Sequence, residues 1–393
     1  MPQVEVKKGL DEVYVKNTRM SWIDGQKGKL YYRGYSIEDL AKHSTFEETT
    51  FLLWYGRLPK RDELSKFKSI LVSFRWIPDE LIDLMKRVPK KAHPMDILKI
   101  GISAAATYDP ELKDMSSIAN IRKAMKILAK APTIVAAWHR IRNNQDPIEP
   151  TNNLDHAANF LYMLNGNRPD ELYIKIMDVA LILHAEHGMN ASTFAALVTA
   201  STLSDIYSAV VSGISALKGP LHGGANERAL RMIMEVGCPE NAESYVLRKL
   251  AKKERIMGFG HRVYKAYDPR AKILKEYARM LCEKKGEMNL YETAVKIEEV
   301  VLRELSKKRI FTNVDFFSGI VYHHLGIPSD LFTTIFAMAR IVGWTGHVLE
   351  YWSENRIIRP RALYIGELDK QYLPMEDRCI APEEKLELLS KLS

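Results

Sequence analysis

The sequence predicts an all-α fold made of many helices, and three observations support this prediction. Most of the 393 residues fall into segments whose apolar residues recur every three or four positions, as on one face of a helix. Clusters of proline, glycine, asparagine and aspartate separate these segments and mark connections. The polar–apolar alternation of a half-buried strand is scarce. We therefore expect a globular, multi-helix protein.

One short sheet and a pair of helices stand out in the first half of the chain. Residues 21–35 predict a β-hairpin, because Asp24-Gly25 is a turn signal. Residues 170–184 predict a long helix, which leads through a polar turn into a second helix over residues 191–204. Small residues along the second helix allow close packing against its neighbours.

A third long helix, over residues 330–352, is mostly apolar and carries one cation, Arg340. A helix that is apolar on most faces belongs in a core or an interface. Arg340 then either reaches the surface with its charged end or is buried beside an anion, for which a substrate carboxylate would serve. Arg359 and Arg361 add planar, fork-shaped donors suited to carboxylates.

The composition is that of an ordinary globular protein, with 46% hydrophobic and 27% charged residues. No apolar run approaches the roughly 18 residues of a membrane span, and the N-terminal residues lack the apolar region of a signal peptide. We expect a cytoplasmic protein without a membrane segment. The three cysteines are widely spaced and odd in number, which argues against a disulfide framework or a zinc site.

The formal net charge is +8 and the pI is near 9.1, which favours anionic partners. The positive charge is dispersed, and no zinc-finger or RNA-binding signature is present, so we expect no nucleic-acid partner. Anionic lipid and a small ligand carrying phosphates and carboxylates are the other classes that such a charge favours, although dispersed basic charge is usually a solvated surface.

Two histidine-containing stretches stand out in the middle of the chain, the first of them at the end of a predicted helix. In residues 184–190 (HAEHGMN), His184 and His187 are three apart and could share a helical face, but the His-Glu-x-x-His pattern is absent. We therefore expect hydrogen-bonding histidines and no metal. In residues 219–226 (GPLHGGAN), His222 lies between glycines, where the backbone lets a ligand come close. An exposed loop histidine is the alternative for His222.

A second glycine-flanked histidine, His261, lies in residues 258–265 (GFGHRVYK). The segment matches neither a Walker nor a Rossmann pattern, yet a glycine-rich loop with nearby cations suits phosphates. Residues 313–319 (NVDFFSG) place Asp315 among apolar neighbours, where burial raises a carboxyl pKa and makes a better base near neutrality. A helix N-cap is the alternative role, and both roles are compatible. The cations near His261 are Lys249, Lys252, Lys253, Arg255, Arg262 and Lys265.

These residues suggest proton abstraction next to a carbonyl, with a dianionic substrate and a phosphorylated second ligand. The motifs also resemble those of the citrate synthase family. Three segments resemble the three catalytic signatures of that family: residues 219–226, 258–270 (GFGHRVYKAYDPR) and 313–319. Further stretches resemble the family in the same order along the chain: residues 21–40, 46–59, 184–190 and 359–366.

The resemblance implies a homodimer of two-domain helical subunits. Residues 1–223 and 327–393 would form the large domain, and residues 224–326 a smaller inserted domain. The site would lie in the cleft between them and exclude water on closing. It also implies an acyltransferase of the tricarboxylic acid cycle, citrate (Si)-synthase, in which CoA thioester is a substrate and no cofactor is needed.

The implied reaction condenses acetyl-CoA with oxaloacetate and water to give citrate and CoA. Asp315 would abstract a methyl proton, His222 would stabilise the enol, and His261 would activate the oxaloacetate carbonyl. The implied oxaloacetate ligands are His187, Arg270, Arg340 and, across the dimer interface, Arg359. The implied CoA contacts are Arg255, Ile256, Met257, Gly258, Phe259 and Lys265.

Several other functions can be weighed against this sequence. A 2-methylcitrate synthase performs the same catalysis on propionyl-CoA, and one methylene is worth only about 1–3 kcal/mol of discrimination. That activity, or dual specificity, is the alternative. ATP-dependent citrate lyase would need a nucleotide-binding half for which 393 residues leave no room. A non-catalytic scaffold should have lost Asp315 or a histidine. The β-rich N-terminal region of longer bacterial enzymes is missing, so NADH inhibition of that type is not expected.

Overall fold

The computed structural model describes residues 5–10 and 12–377, and it confirms the all-α prediction. Three short strands come first: Ser21–Asp24 (β1), Lys29–Tyr32 (β2) and Tyr35–Ser36 (β3). Sixteen α-helices follow in the described part of the chain: Ile37–His43 (α1), Phe46–Tyr55 (α2), Arg61–Ser73 (α3), Asp79–Arg87 (α4), Pro94–Thr107 (α5), Ser117–Arg142 (α6), His156–Asn165 (α7), Glu171–His184 (α8), Ala191–Ser201 (α9), Ile206–Leu217 (α10), Ala225–Val236 (α11), Pro239–Ala251 (α12), Pro269–Lys285 (α13), Met288–Leu305 (α14), Val314–His324 (α15) and Phe332–Trp352 (α16).

The predicted hairpin is confirmed and extended by a third strand. β1 and β2 pair antiparallel, and the short β3 pairs antiparallel with β2. Asp24 shapes the β1–β2 turn, because its Oδ1 accepts hydrogen bonds from the backbone N–H groups of Gln26 (3.1 Å) and Lys27 (3.0 Å). Such a bond pattern is the usual reason for aspartate at the start of a turn.

The three long predicted helices are present, with shifted ends in two cases. Asp170 caps α8 by accepting from the backbone N–H of Leu172, so that helix begins where predicted. α9 stops at Ser201, short of the predicted residue 204, and Leu203 then adopts a left-handed conformation (φ 63°). α16 begins at Phe332 because a 3₁₀ turn precedes it.

The helix α16 lies in the apolar core and packs against α6, α8, α9 and α10. Small residues do allow close approach here: a Cβ on Gly213 of α10 would lie 2.8 Å from the Trp344 ring. Arg340 is only 1% exposed, so it does not reach the surface. Of the two roles open for Arg340, burial is the one the structure supports.

Contacts divide the chain into two units. Residues 16–358 form one unit, which holds the sheet, the helices and the apolar core. The other consists of residues 1–15 and 359–393; its described part contains the 3₁₀ turns Lys8–Leu10 and Met375–Asp377 and no α-helix. The domain division at residues 224 and 326 stays a prediction. Over the described residues, no helix combines the length and apolarity needed to cross a membrane.

Candidate active site

Predicted site residues from four different elements lie close enough together for their charges to interact. His187 follows α8, Arg270 is in the first turn of α13, Asp315 is in the first turn of α15, and Arg340 lies within α16. Burial has the largest effect on the pKa of both His187 and Asp315, and the positive charges of Arg270 and Arg340 both act on each of these two groups. The structure therefore brings together residues that lie up to 153 positions apart in the sequence.

Arg340 is a buried cation with an unused donor. Its Nε donates to the backbone carbonyl of His184 (2.8 Å), and its guanidinium lies 4.6 Å from the centre of the Phe336 ring. Its buried Nη2 has no hydrogen-bond partner among the described residues. Burial lowers the Arg340 pKa to about 10. A buried guanidinium is costly unless an anion pairs with it, so this donor is suited to a ligand carboxylate.

Arg270 is 2% exposed and is held by Asp268 through two parallel hydrogen bonds. Its Nε donates to Asp268 Oδ1 (3.0 Å) and its Nη2 to Asp268 Oδ2 (2.7 Å), the planar fork geometry that suits a carboxylate. Asp268 Oδ2 also accepts from the backbone N–H of Val314 (3.2 Å). This carboxylate therefore fixes Arg270 relative to the start of α15, where Asp315 lies.

Asp315 is a partly buried carboxyl at the start of a helix. The N-cap is Asn313, whose Oδ1 accepts from the Asp315 backbone N–H (3.0 Å), so the Asp315 side chain is not used for capping. Burial raises the Asp315 pKa to about 6, and the positive charge of Arg270 limits the rise. A carboxyl with that pKa is ionised at neutral pH and is a stronger base than an ordinary aspartate.

His187 is 7% exposed and faces the His261 loop. Its Nε2 lies 3.2 Å from Tyr264 Oη, and the His187 and His261 ring centres are 5.1 Å apart. Burial, followed by the charge of Arg270, lowers the His187 pKa well below its usual range. The ring is therefore neutral at physiological pH.

His261 has its proton position fixed by the backbone. Its Nδ1 accepts hydrogen bonds from the backbone N–H groups of Val263 (3.0 Å) and Tyr264 (3.1 Å). Because backbone N–H groups only donate, the neutral ring must carry its proton on Nε2. Burial, with help from Arg270, lowers the His261 pKa to about 4. His261 thus presents a neutral N–H donor at Nε2.

His222 has the opposite arrangement. The backbone N–H of Ser192 donates to His222 Nε2 (3.4 Å), and Ser192 Oγ lies 2.8 Å from the same nitrogen. Since Nε2 accepts, the neutral ring carries its proton on Nδ1. Burial and the charge of Arg340 lower the His222 pKa to about 4. The adjacent Gly223 is required by packing, because a Cβ there would lie 2.2 Å from the Leu217 carbonyl oxygen.

The predicted CoA contacts form a loop after α12 that is attached to the start of α15. The Gly258 carbonyl accepts from the Asn313 backbone N–H (2.9 Å), and the Phe259 and Phe316 rings are 4.7 Å apart. The side chain of Ile256 is buried, whereas Arg255 and Lys265 are exposed. Met257 is half-buried. The role of this loop stays a prediction.

Two other predictions concern metal binding and Arg359. His184 is buried, and its Nδ1 lies 2.8 Å from the Ala180 carbonyl, consistent with a hydrogen-bonding histidine. Within residues 5–10 and 12–377, no three His, Cys, Asp or Glu side chains are grouped to hold a metal ion. Arg359 is exposed and belongs to the other unit of the chain, and its predicted role is untested.

Sequence reasoning missed several supporting residues. Glu186 Oε1 accepts from the Gly188 N–H (2.5 Å) and Ser21 Oγ (3.0 Å), and lies 2.9 Å from His347 Nε2, so it holds the turn that carries His187. Asp268 had a local signal, because it stands two residues before Arg270 and caps α13. Glu186 and His347 are 161 positions apart, and no sequence pattern links them.

Comparison with known proteins decides the family. The family model for "Citrate synthase, C-terminal domain" matches residues 9–361. The chain belongs to the citrate synthase family. A citrate synthase of Synechocystis sp. is 48% identical over 376 residues, covering 95% of this chain and 94% of the relative. One of Deinococcus radiodurans is 45% identical over 373 residues, covering 95% and 99%.

Solved structures of the family agree with this fold. A citrate synthase from the thermophilic archaeon Thermoplasma acidophilum, solved as a ternary complex with carboxymethyl coenzyme A and oxaloacetate, superposes with a TM-score of 0.91. It is 38% identical, and the match covers 95% of this chain and all of that one. The family also includes a 2-methylcitrate synthase of Shewanella oneidensis, 41% identical over 364 residues, covering 92% of this chain and 95% of the relative.

Proposed function

We propose that this protein is a citrate synthase, an acyltransferase that condenses acetyl-CoA with oxaloacetate and water to give citrate and CoA. The observations that carry the proposal are one carboxyl suited to act as a base and two neutral histidine donors among the predicted site residues. Asp315 has a pKa raised to about 6, while His222 and His261 have pKa values near 4 and present N–H groups. Membership of the citrate synthase family supports the same conclusion.

In the first step Asp315 removes a proton from the acetyl methyl group. A thioester methyl is a very weak acid, so a carboxylate can deprotonate it only if the enol is stabilised as it forms. The Nδ1–H of His222 donates to the thioester oxygen and provides that stabilisation. A neutral imidazole is a suitable donor for an enol-like intermediate, and burial keeps His222 neutral.

In the second step the enol carbon attacks the keto carbon of oxaloacetate. The Nε2–H of His261 donates to the keto oxygen, which increases the electrophilicity of the carbon, and then supplies a proton to the new alkoxide. The product citryl-CoA is hydrolysed by water in the same site. The attack forms the new C–C bond, and the hydrolysis forms a C–O bond from water and breaks the C–S bond, which releases CoA as the thiol.

The oxaloacetate carboxylates are bound by His187, Arg270 and Arg340. The buried Arg340 Nη2 supports this assignment, because it lacks a partner among the described residues. Asp268 holds the Arg270 fork by Nε and Nη2 and so orients the guanidinium. We also propose a cytoplasmic homodimer in which Arg359 is contributed across the interface to the neighbouring site.

CoA is proposed to bind beside the loop of residues 255–259, as a substrate. The exposed cations Arg255 and Lys265 are available to phosphates, while Ile256, Met257 and Phe259 offer apolar surface for the adenine. The attachment of Gly258 to Asn313 would couple CoA binding to the position of Asp315. Residues 224–326 are proposed to move as a small domain that closes over both substrates.

Activity on propionyl-CoA is the second candidate, and the Shewanella oneidensis relative supports it. Purified protein should be assayed for CoA thiol release with acetyl-CoA and with propionyl-CoA, each with and without oxaloacetate. We expect oxaloacetate-dependent release and a higher kcat/KM for acetyl-CoA. A higher value for propionyl-CoA would favour 2-methylcitrate synthase, and release independent of oxaloacetate would contradict both assignments.

A further inference from the structure

The β1–β2 turn, residues 25–28, is in unusually close contact with the loop that carries His261. A Cβ on Gly25 would lie 2.2 Å from the Val263 carbonyl oxygen, and a Cβ on Gly28 would lie 2.5 Å from the Tyr267 carbonyl oxygen. Real Cβ atoms do not come this close to backbone oxygen, so either side chain would push the loop away. The two glycines therefore contact the two ends of the segment 263–267.

Hydrogen bonds support the same contact. The backbone N–H of Lys265 donates to the Gly25 carbonyl (2.8 Å), and the turn is also held from outside that loop, where Arg309 Nη1 donates to Gln26 Oε1 (3.0 Å). Asp24 holds the turn in shape through its bonds to the backbone of Gln26 and Lys27. The turn is thus a preformed surface to which the loop is attached.

The segment that the turn contacts also fixes the His261 ring. The N–H groups that bind His261 Nδ1 belong to Val263 and Tyr264, and the Val263 carbonyl faces Gly25 directly. Moving Val263 would move one of these N–H groups and loosen the constraint that keeps the His261 proton on Nε2. At its other end, the segment leads into Asp268, which orients Arg270.

We propose that Gly25 and Gly28 are positioning residues: the β1–β2 turn holds segment 263–267 in place and thereby keeps the donor face of His261 directed at the substrate. This inference rests on the proposed function for its kinetic consequence. Its structural content, that the turn determines the His261 tautomer, does not depend on which acyl-CoA is used.

The test compares Gly25→Ala with Gly34→Ala. Gly34 lies in the other turn of the same sheet, and a Cβ there would meet nothing within 4 Å. We expect Gly25→Ala to lower kcat at least tenfold, because a misplacement of about 1 Å can cost about 10²-fold. The KM for acetyl-CoA should rise by a smaller factor than kcat falls, because Lys265 moves with the loop, and the melting temperature should stay within a few degrees of that of Gly34→Ala.

A second readout separates positioning from general damage. In ¹⁵N spectra of histidine-labelled protein, His261 should be protonated on Nε2 in the wild type and in Gly34→Ala, and should show mixed protonation in Gly25→Ala. A kcat within twofold of Gly34→Ala, or an unchanged tautomer, would overturn the proposal. Thiol release by the wild type is measured first, since its absence would refute the proposed function rather than this inference.

Two measurements keep the proposal testable if Gly25→Ala does not fold. Gly28→Ala can be compared with Gly34→Ala, because both glycines have positive φ (64° and 92°) and only Gly28 faces a carbonyl. The kcat of Gly28→Ala should be at least fivefold lower than that of Gly34→Ala. Equal kcat values for the two variants would contradict the proposal. Amide exchange in the wild type should show a protected Lys265 N–H, and exchange as fast as in an exposed loop would also contradict it.

Discussion

His222 and His261 both lie in glycine-rich loops, yet the protein fixes their protons on opposite nitrogens. At His261 the backbone of its own loop donates to Nδ1, which leaves the proton on Nε2. At His222 the distant Ser192 donates to Nε2, which leaves the proton on Nδ1. In both cases burial lowers the pKa to about 4 and keeps the ring neutral. Similar motifs therefore supply two N–H donors of different geometry, which we propose serve the two substrate carbonyls.

The largest effect should come from removing Asp315, the proposed base that both histidines are proposed to assist. Asp315→Asn should lower kcat by more than about 10³-fold, because the amide cannot take the methyl proton. Without that proton transfer no enol forms, and the two histidine donors have nothing to stabilise. Oxaloacetate affinity, measured by calorimetry, should stay near the wild-type value. The control is Asp83→Asn, an exposed aspartate, which should retain full activity. Near-wild-type turnover by Asp315→Asn would rule out Asp315 as the base.

The opposite tautomers predict opposite preferences for amide replacements. Asparagine places an N–H near the position of Nδ1, and glutamine places one near Nε2. Losing the donor should cost about 10²–10³-fold in kcat. We expect the kcat of His222→Asn to be about tenfold higher than that of His222→Gln. At the other position, the kcat of His261→Gln should be higher than that of His261→Asn by a similar factor. The same preference at both positions would contradict the comparison.

Ser192→Ala should have a smaller effect on His222, because the backbone N–H of residue 192 still donates to His222 Nε2 and only the Oγ contact is lost. Loss of one neutral hydrogen bond corresponds to about 0.5–1.5 kcal/mol, which is roughly two- to tenfold in kcat. Ser192 Oγ also donates to Asn190 Oδ1 (2.7 Å) and accepts from Trp344 Nε1 (3.1 Å), so the melting temperature should fall by a few degrees. Ser215→Ala is the control, because Ser215 Oγ only donates to its own helix at an exposed position. A rise in the oxaloacetate KM without a change in kcat would assign Ser192 a different role.

The pH dependence should separate the base from the histidines. Asp315 must be ionised to act, so kcat/KM for acetyl-CoA should fall with unit slope as the pH drops below about 6. The histidines, with pKa values near 4, should add no second slope above about pH 4.5. A pH series in buffers of constant ionic strength would show this, and a steeper fall beginning near pH 6.5 would mean that one histidine is charged.

The smallest predicted effect is on stability. The folded pKa of Asp315, about 6, lies above the ordinary value of about 3.9. Between these values the folded chain binds the extra proton, so this group's contribution to stability falls as pH rises and is unfavourable above pH 6. Asp315→Asn should therefore melt a few degrees higher than the wild type at pH 8 and at a similar temperature at pH 4. An equal rise at both pH values would show that the gain is not electrostatic.

Local signals explain what the sequence could predict. The start of α8 was predictable because Asp170 caps it, and the hairpin because Asp24 shapes its turn. A candidate base at Asp315 followed from an acidic residue among apolar neighbours. The burial of Arg340 was not predictable from spacing alone, because it depends on α6, α8, α9 and α10 packing around α16.

The tautomers lay beyond sequence reasoning for a different reason. The proton position of His222 depends on Ser192, thirty residues earlier, and that of His261 on the path of its own backbone. Contacts of this kind are decided by tertiary structure, and a glycine-flanked histidine has the same appearance in either case. The contact between Gly25 and Val263 was likewise invisible, since it joins residues 238 positions apart.

The most direct test follows the carbon–carbon bond itself. Protein, oxaloacetate and acetyl-CoA labelled with ¹³C in the methyl group are incubated together, and the product is identified by NMR. We expect the label to appear in a methylene carbon of citrate with the wild type, together with an equal amount of free CoA. In the same time Asp315→Asn should form less than about a thousandth as much labelled citrate. Release of labelled acetate by the wild type, without citrate, would show that the protein is a thioesterase and contradict the proposed condensation.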